Sequence, residues 1–97
     1  MNAEATNAEG RRRRTIEILA EILETDPARL RDGDRLREDL GLDSLQSLEL
    51  LSMLSEELRV DLPMEEAMEL STVADACAFV ERARLAGGAA DAEGRRA

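Results

Sequence analysis

Three stretches of the chain repeat apolar residues at the three- and four-residue spacing of an amphipathic helix. The first stretch contains Ile16, Leu19, Ile22 and Leu23. We expect this helix either to fray at its start or to begin a little upstream of Thr15, because the arginines at 11–14 oppose the positive end of a helix dipole. It ends before Asp26, which is predicted to cap a short turn that has Pro27 at its first position.

The second stretch has the strongest helical pattern in the chain. It consists of Leu45, Leu48, Leu51, Leu54 and Leu58, widened by Leu50. This leucine stripe predicts a helix over residues 44–59 that contributes to a leucine core. Residues 60–63 break the helix, because they end in Pro63, and only a short acidic helix fits over residues 64–70.

The third stretch begins after Ser71 and Thr72, which are predicted to cap it. Its apolar face is formed by Val73, Ala76, Cys77, Val80 and Ala83. We expect this helix to end at about Leu85. Three longer helices and one short helix together predict an all-α fold, a small antiparallel four-helix bundle.

The ends of the chain and one connection lack this periodicity. Residues 1–10 and 86–97 are small and polar, which predicts a flexible N-terminal tail and a flexible C-terminal tail around a folded domain of residues 11–85. The connection before Asp43 is long for so small a domain, so it needs internal anchors. The residues expected to pin it across the bundle are Leu30, Leu36 and Leu40.

Composition excludes most catalytic and metal-binding chemistry. The 97 residues include no histidine, one cysteine and one aromatic residue, Phe79. Disulfide frameworks, Cys/His metal sites and triads with an imidazole base are therefore excluded, and no acidic stretch has the ligand spacing of a calcium loop. Cys77 is predicted to be a buried core thiol without chemistry. The chain is expected not to be an enzyme and to bind no metal.

The net charge of −9 is concentrated in one part of the sequence. Between residues 39 and 69, nine carboxylates face only Arg59, so this segment repels phosphate backbones and attracts basic protein surfaces. Nucleic acid is therefore not expected as a partner. The arginines at 11–14 fit a solvated first turn or tail better than a localisation signal. No apolar run approaches a membrane span or a signal segment, so we expect a cytoplasmic location.

The segment with candidate chemistry lies where a turn at Gly41 meets the second helix. Asp43 is the predicted N-cap of that helix, and Gln46 closes a capping box with it, which leaves Ser44 in the first turn. In one interpretation, these residues serve only to cap the helix. In the functional alternative, a phosphodiester on Ser44 lies near free amides and the positive end of the helix dipole. No base neighbours Ser44, so it fits a modification site and not a catalytic nucleophile.

Residues 39–45 read Asp-Leu-Gly-Leu-Asp-Ser-Leu. This segment resembles the one around the 4′-phosphopantetheine serine in the acyl carrier proteins of fatty acid and polyketide synthesis. The resemblance covers nearly all of residues 15–85. Its further matches are Glu49 with Leu50, Leu62 with Pro63, Glu65 with Glu66, and Ser71, Thr72 and Val73.

The resemblance implies that a phosphopantetheinyl transferase moves 4′-phosphopantetheine from coenzyme A to Ser44. Acyl groups are then held as thioesters on the arm, and the acyl chain can slip between the helices. It also implies that a monomer is bound by acyl-loading enzymes, ketosynthases or other acyl-processing enzymes through their basic surfaces. The implied docking residues on the second helix are Asp43, Leu45, Leu48, Glu49, Met53 and Glu56.

Two residues depart from the family pattern. Gln46 replaces the acid that is common two residues after the serine, and either the capping box or an altered choice of partner explains it. Ser52 stands where the family often has an apolar contact residue. Two other functions remain open: a peptidyl or aryl carrier of nonribosomal synthesis, which shares the arm and the fold, and a helical adaptor without a prosthetic group.

Overall fold

The computed structural model describes the backbone of residues 7–96 and the side chains of residues 7–85. Residues 1–6 of the predicted N-terminal tail, and residue 97, lie outside this part. In chain order the elements are α1 (Ala8–Leu23), a 3-10 helix (Pro27–Arg29), α2 (Ser44–Leu58), α3 (Met64–Ala67) and α4 (Val73–Arg96). The predicted all-α fold, with three longer helices and one short helix, is confirmed.

Helix α1 starts seven residues before Thr15, upstream as predicted. The side chain of its N-cap, Asn7, accepts a hydrogen bond from the amide of Gly10 at 2.7 Å. Glu9 in the first turn favours this start, because a carboxylate there complements the helix dipole. The helix therefore includes residues 8–10, which the sequence pattern places in the tail.

The arginines of α1 tie this helix to the rest of the bundle. Nε and Nη2 of Arg11 donate to the two carboxylate oxygens of Glu81 in α4, at 2.6 and 2.8 Å. The Arg11 side chain is only 5% exposed, so the prediction of a solvated run is wrong for this residue. Arg12 pairs with Asp32. A sequence pattern cannot reveal such pairs, since Arg11 and Glu81 are 70 positions apart.

Helix α2 is also tied to α1 through an arginine. Arg14 donates to both carboxylate oxygens of Glu57, at 2.8 and 2.7 Å, and to Glu17 at 3.0 Å. All three side chains are partly exposed, so each of these ion pairs contributes little to the free energy of folding. In this acidic chain the arginines of α1 therefore act as internal counterions that reduce repulsion between its elements.

The core lies between α1, α2 and α4. Its largest fully buried apolar side chains are Ile18, Leu19, Leu54, Val73, Phe79 and Val80. The leucine stripe predicted for α2 is wrong at its N-terminal end, because Leu45 is 67% exposed and Leu48 is 41% exposed. Leu50 and Leu54 point inwards instead, and residues four apart share one helix face. A run with leucine on several faces does not show which face is buried.

The long connection between the 3-10 helix and α2 is pinned by leucines and by the start of α4. Leu30 and Leu36 are buried and Leu40 packs against the core, as predicted. The amide of Leu36 also donates to the carbonyl of Ser71 at 2.8 Å, and the amide of Val73 donates to the carbonyl of Asp34 at 3.0 Å. These backbone hydrogen bonds hold the connection across the bundle.

Local caps set the limits of the remaining elements. Asp26 accepts from the amide of Ala28 at 3.0 Å, which confirms the cap of the 3-10 helix. Thr72 Oγ1 accepts from the amide of Asp75 at 3.1 Å, which confirms the predicted cap of α4. Helix α3 is shorter than predicted. The amide of Leu70 bonds back to the carbonyl of Ala67, in a turn that closes the segment before α4.

The C-terminal end of α4 differs from the prediction. The helix was expected to end at about Leu85, and its backbone continues to Arg96 instead. The continuing segment is rich in alanine, the strongest helix former, which offsets the cost of its glycines. Within α4 the thiol of Cys77 is buried as predicted, and burial raises its pKa.

The Arg11–Glu81 pair yields a stability prediction. Glu81→Gln leaves the buried guanidinium without its counterion, and we expect the free energy of unfolding to fall by about 2 kcal/mol at pH 7, measured by urea denaturation. The matched control is Glu57→Gln, which removes the partly exposed partner of Arg14 and should cost less than about 1 kcal/mol. Equal losses in the two variants would contradict the importance of the buried pair.

The effect of Glu81→Gln should depend on pH. The hydrogen bonds from Arg11 lower the pKa of the Glu81 carboxyl below its ordinary value of 4.5. The carboxylate therefore stabilises the fold at pH values above 4.5, and this contribution is lost as the pH falls through the lowered pKa. The difference between wild type and variant should accordingly shrink in acid.

Candidate functional site

The N-terminus of α2 is fixed by a reciprocal pair of hydrogen bonds. The amide of Gln46 donates to Asp43 Oδ1 at 2.7 Å, and the amide of Asp43 donates to Gln46 Oε1 at 3.1 Å. The hydroxyl of Ser47 donates to the carbonyl of Asp43 at 2.9 Å. This geometry confirms the predicted capping box and explains Gln46 by local structure.

Ser44 is the first residue of α2, and it is exposed to solvent. Among the residues that the structure describes, no group accepts a hydrogen bond from the amide of Ser44 or of Leu45. The first turn of this 15-residue helix contains no acidic residue. The hydroxyl therefore lies beside two free N–H groups at the positive end of a helix dipole, an environment that favours a negatively charged substituent.

The turn before Ser44 is held by one glycine and one buried leucine. Gly41 has a φ of +74°, a conformation that residues with a Cβ rarely adopt. Leu42 is buried, and its amide donates to the carbonyl of Leu36 at 2.8 Å. The turn therefore fixes the direction in which the chain enters α2 and leaves Asp43 and Ser44 outside the core.

The outer face of α2 contains most of the residues that the family resemblance implies for docking. The residues of this set that are exposed are Asp43, Leu45, Leu48, Glu49 and Glu56. Met53 is the exception, since it is partly buried and packs against the core. Exposed leucines beside carboxylates form a surface on which an apolar contact can be surrounded by charge recognition.

A small apolar cavity lies behind this face. It has a volume of about 20 Å³, room for little more than one water molecule. The residues that line it include Leu42, Ser47, Leu50, Leu51, Leu70 and Phe79. Arg37 lies at the same cavity, and its Nη2 donates to the carbonyl of Met68 at 2.9 Å. Neither Arg37 nor Phe79 was among the predicted site residues, because only packing brings them next to α2.

Comparison with known proteins shows the family to which the chain is similar. A family model described as a phosphopantetheine attachment site matches residues 13–80. The acyl carrier protein of Wolinella succinogenes is 35% identical over 65 residues, which cover 67% of this chain and 86% of that protein. The acyl carrier protein of Thermosynechococcus vestitus is 43% identical over 63 residues, or 65% of this chain and 78% of that protein.

The fold and the family match define a phosphopantetheine-bearing carrier. The chain belongs to the acyl carrier protein family. It is therefore a carrier and not a catalyst, with a covalently attached 4′-phosphopantetheine group. Membership also implies that a phosphopantetheinyl transferase modifies the chain and that acyl-processing enzymes use it.

Two further properties concern only the described part of the chain. None of its helices combines the length and the apolar character that crossing a membrane requires. It contains no group of three or more carboxylate, histidine or cysteine side chains that could hold a metal ion.

The residues at the start of α2 fit the prosthetic group, because an exposed hydroxyl and unpartnered amides meet there.

Proposed function

We propose that Ser44 is the residue that carries 4′-phosphopantetheine. The observation that supports this proposal is the position of Ser44 as an exposed residue at the start of α2, beside two unpartnered amides. A phosphodiester on its hydroxyl would be favoured by the helix dipole and would leave the arm in solvent. The carboxylate of Asp43 is turned to the amide of Gln46, which limits its repulsion of a phosphate.

Other serines of the described chain fit the group less well. Ser47 is buried, and its hydroxyl is engaged with the carbonyl of Asp43. Ser52 is exposed and Ser55 is half-buried, but they lie in the third and fourth turns of α2, where the backbone amides are used within the helix. Ser71 is exposed before α4, and its amide already donates to Asp75 at 3.1 Å. Ser44 alone among these five combines an accessible hydroxyl with free amides.

Ser44 takes part in the modification as an acceptor. No imidazole exists in the chain, and Asp43, the nearest carboxylate in sequence, is committed to the capping box. The base that removes the hydroxyl proton must therefore come from the transferase. Once attached, the group supplies a terminal thiol that holds acyl intermediates as thioesters.

We propose that the carried intermediates belong to fatty acid, polyketide or related specialised lipid synthesis, in the cytoplasm. The curated relatives are named acyl carrier proteins, which favours acyl cargo over peptidyl or aryl cargo. The alternative function, a helical adaptor without a prosthetic group, is disfavoured because the phosphopantetheine family model matches residues 13–80. The acidic, leucine-bearing face of α2 suits basic partner surfaces, to which the chain binds as a monomer.

The apolar cavity beside Ser47 is the proposed host for the start of an acyl chain. At about 20 Å³ it cannot hold more than one or two methylene groups without rearrangement. A longer chain therefore requires α2 and α3 to move apart. The brevity of α3, which has four residues, favours such movement, because short helices have few internal hydrogen bonds.

A mass measurement tests this function. The purified chain is incubated with coenzyme A and a broad-specificity phosphopantetheinyl transferase, and we expect one phosphopantetheine to be added per chain. Loading of the product with fatty acyl, malonyl and aminoacyl donors then separates the cargo classes, and we expect the first two to react. No mass gain would overturn the carrier proposal, and loading by aminoacyl donors alone would overturn the acyl assignment.

A further inference from the structure

Helix α3 is held less firmly than the other helices around the apolar cavity behind α2. It has four residues, none of them buried, and its N-cap, Pro63, makes no side-chain hydrogen bond. The backbone amides of residues 67–70 donate only to carbonyls of residues 63–67. Apolar contacts of Ala67 and Leu70 join this segment to the core. A segment with so few contacts opens at a lower free energy than the long helices do.

One hydrogen bond from another part of the fold reaches this segment. Nη2 of Arg37 donates to the carbonyl of Met68, the C-cap of α3, at 2.9 Å. Within the described chain, no other hydrogen bond or ion pair links residues 63–70 to the rest of the protein. The donor carries a charge, which strengthens the bond relative to one between neutral groups.

Arg37 is placed for this contact by the turn that leads to Ser44. Its carbonyl accepts from the amide of Gly41 at 3.1 Å, so its backbone is part of that turn. Its side chain runs from the turn to the end of α3 at an edge of the cavity. Among the residues that line the cavity, only Arg37 is charged. The arginine therefore connects two walls of the cavity that are not otherwise hydrogen-bonded to each other.

The position of the cavity makes this connection relevant to the cargo. Leu42 and Ser47, which line the cavity, lie two residues before and three residues after Ser44. A chain that is carried on Ser44 therefore enters close to the turn that contains Arg37. Because the cavity has a volume of about 20 Å³, a decanoyl chain enters only if α3 moves outwards. That movement breaks the bond between Arg37 and Met68.

We propose that Arg37 is a latch that holds α3 over the cavity and limits the length of the acyl chain that the protein encloses. The proposal rests on the function proposed for Ser44. The enclosed and the exposed states of a long chain differ by this hydrogen bond, so the bond shifts the equilibrium towards exposure. The latch thus keeps long chains accessible to partner enzymes, whereas an acetyl group needs no opening and is not affected.

Cleavage of the thioester by hydroxylamine measures how far a chain is enclosed. Wild type and variants are loaded from acetyl- and decanoyl-coenzyme A by the transferase, and loss of the acyl group is followed by mass spectrometry. The cleavage ratio is the rate for the acetyl form divided by the rate for the decanoyl form. In Arg37→Met and Arg37→Ser, which cannot reach Met68 with a donor, this ratio should be roughly two- to tenfold higher than in wild type, the range for losing one hydrogen bond.

Two further variants show whether the hydrogen bond is responsible. Arg37→Lys keeps a charged donor on a flexible stem, so its cleavage ratio should lie closer to wild type than that of Arg37→Ser. The matched control is Arg31→Met, which removes the same charge from an exposed position of the same connection and should leave the ratio unchanged. A rise in Arg37→Met without one in Arg37→Ser would overturn the proposal, because added apolar surface would then explain it. Equal ratios in Arg37→Lys and Arg37→Ser would also overturn it.

The direction of the effect separates a latch from a general loss of structure. A loosened fold exposes the decanoyl thioester and lowers the cleavage ratio, whereas an open latch raises it. The melting temperatures of the unloaded variants should fall by less than about 8 °C, the range for one hydrogen bond in a domain of this size. An unchanged or lower ratio in both Arg37→Met and Arg37→Ser would overturn the latch. Absence of mass gain in wild type would instead overturn the function of Ser44, so the two failures are distinguishable.

Discussion

Ser44→Ala is expected to gain no phosphopantetheine mass from coenzyme A and transferase under conditions in which wild type is fully modified. The substitution removes the only exposed hydroxyl in the first turn of α2, because the hydroxyl of Ser47 is buried and engaged with the carbonyl of Asp43. The expected effect is complete loss. It is measured by mass spectrometry of the intact protein, followed by identification of the modified peptide in wild type.

The fold should survive this substitution. The capping box uses the side chains of Asp43 and Gln46 and makes no use of the Ser44 hydroxyl, and alanine is a strong helix former. We therefore expect a change in unfolding free energy of less than about 0.5 kcal/mol and a shift in melting temperature of less than about 4 °C.

A second serine variant serves as a control and shows whether loss of modification is specific to Ser44. Ser71→Ala changes an exposed serine in front of α4, where the amide and not the hydroxyl contacts Asp75. This variant should gain one phosphopantetheine at the wild-type rate. Mass gain by Ser44→Ala would move the attachment site to another residue, and a large fall in its melting temperature would contradict the role assigned to Asp43.

Local sequence signals predicted the start of α2 well. Asp43 and Gln46 satisfy each other over three residues, and the αL turn at Gly41 needs only its own backbone, so these features depend on neighbours in sequence. The same holds for the caps at Asp26 and Thr72. Each of these interactions spans at most three residues, which is the range over which a sequence pattern can be interpreted directly.

Features that depend on distant partners were predicted less well. Leu45 and Leu48 continue the leucine pattern of α2, and only the positions of α1 and α4 show that both lie outside the core. The burial of Arg11 depends on Glu81 in another helix.

Phe79→Ala is expected to have the largest effect on stability. Phe79 is the only aromatic residue of the chain, is 2% exposed and lies in α4 at the cavity behind α2. Replacing a buried phenylalanine with alanine costs about 3–5 kcal/mol, because apolar burial is lost and a cavity remains. For a domain of this size the melting temperature should fall by at least about 12 °C.

The local packing indicates that neighbouring side chains will not fill the space left by this substitution. The ring already adjoins a void of about 20 Å³, so removing it joins that void to a larger one, and the cost rises with the volume that stays empty. Phe79→Leu is the matched control and should cost less than about 1.5 kcal/mol, since it keeps most of the apolar volume. Urea denaturation measures both variants. A loss below about 1 kcal/mol in Phe79→Ala would contradict this prediction and would show that the helices close over the vacated space.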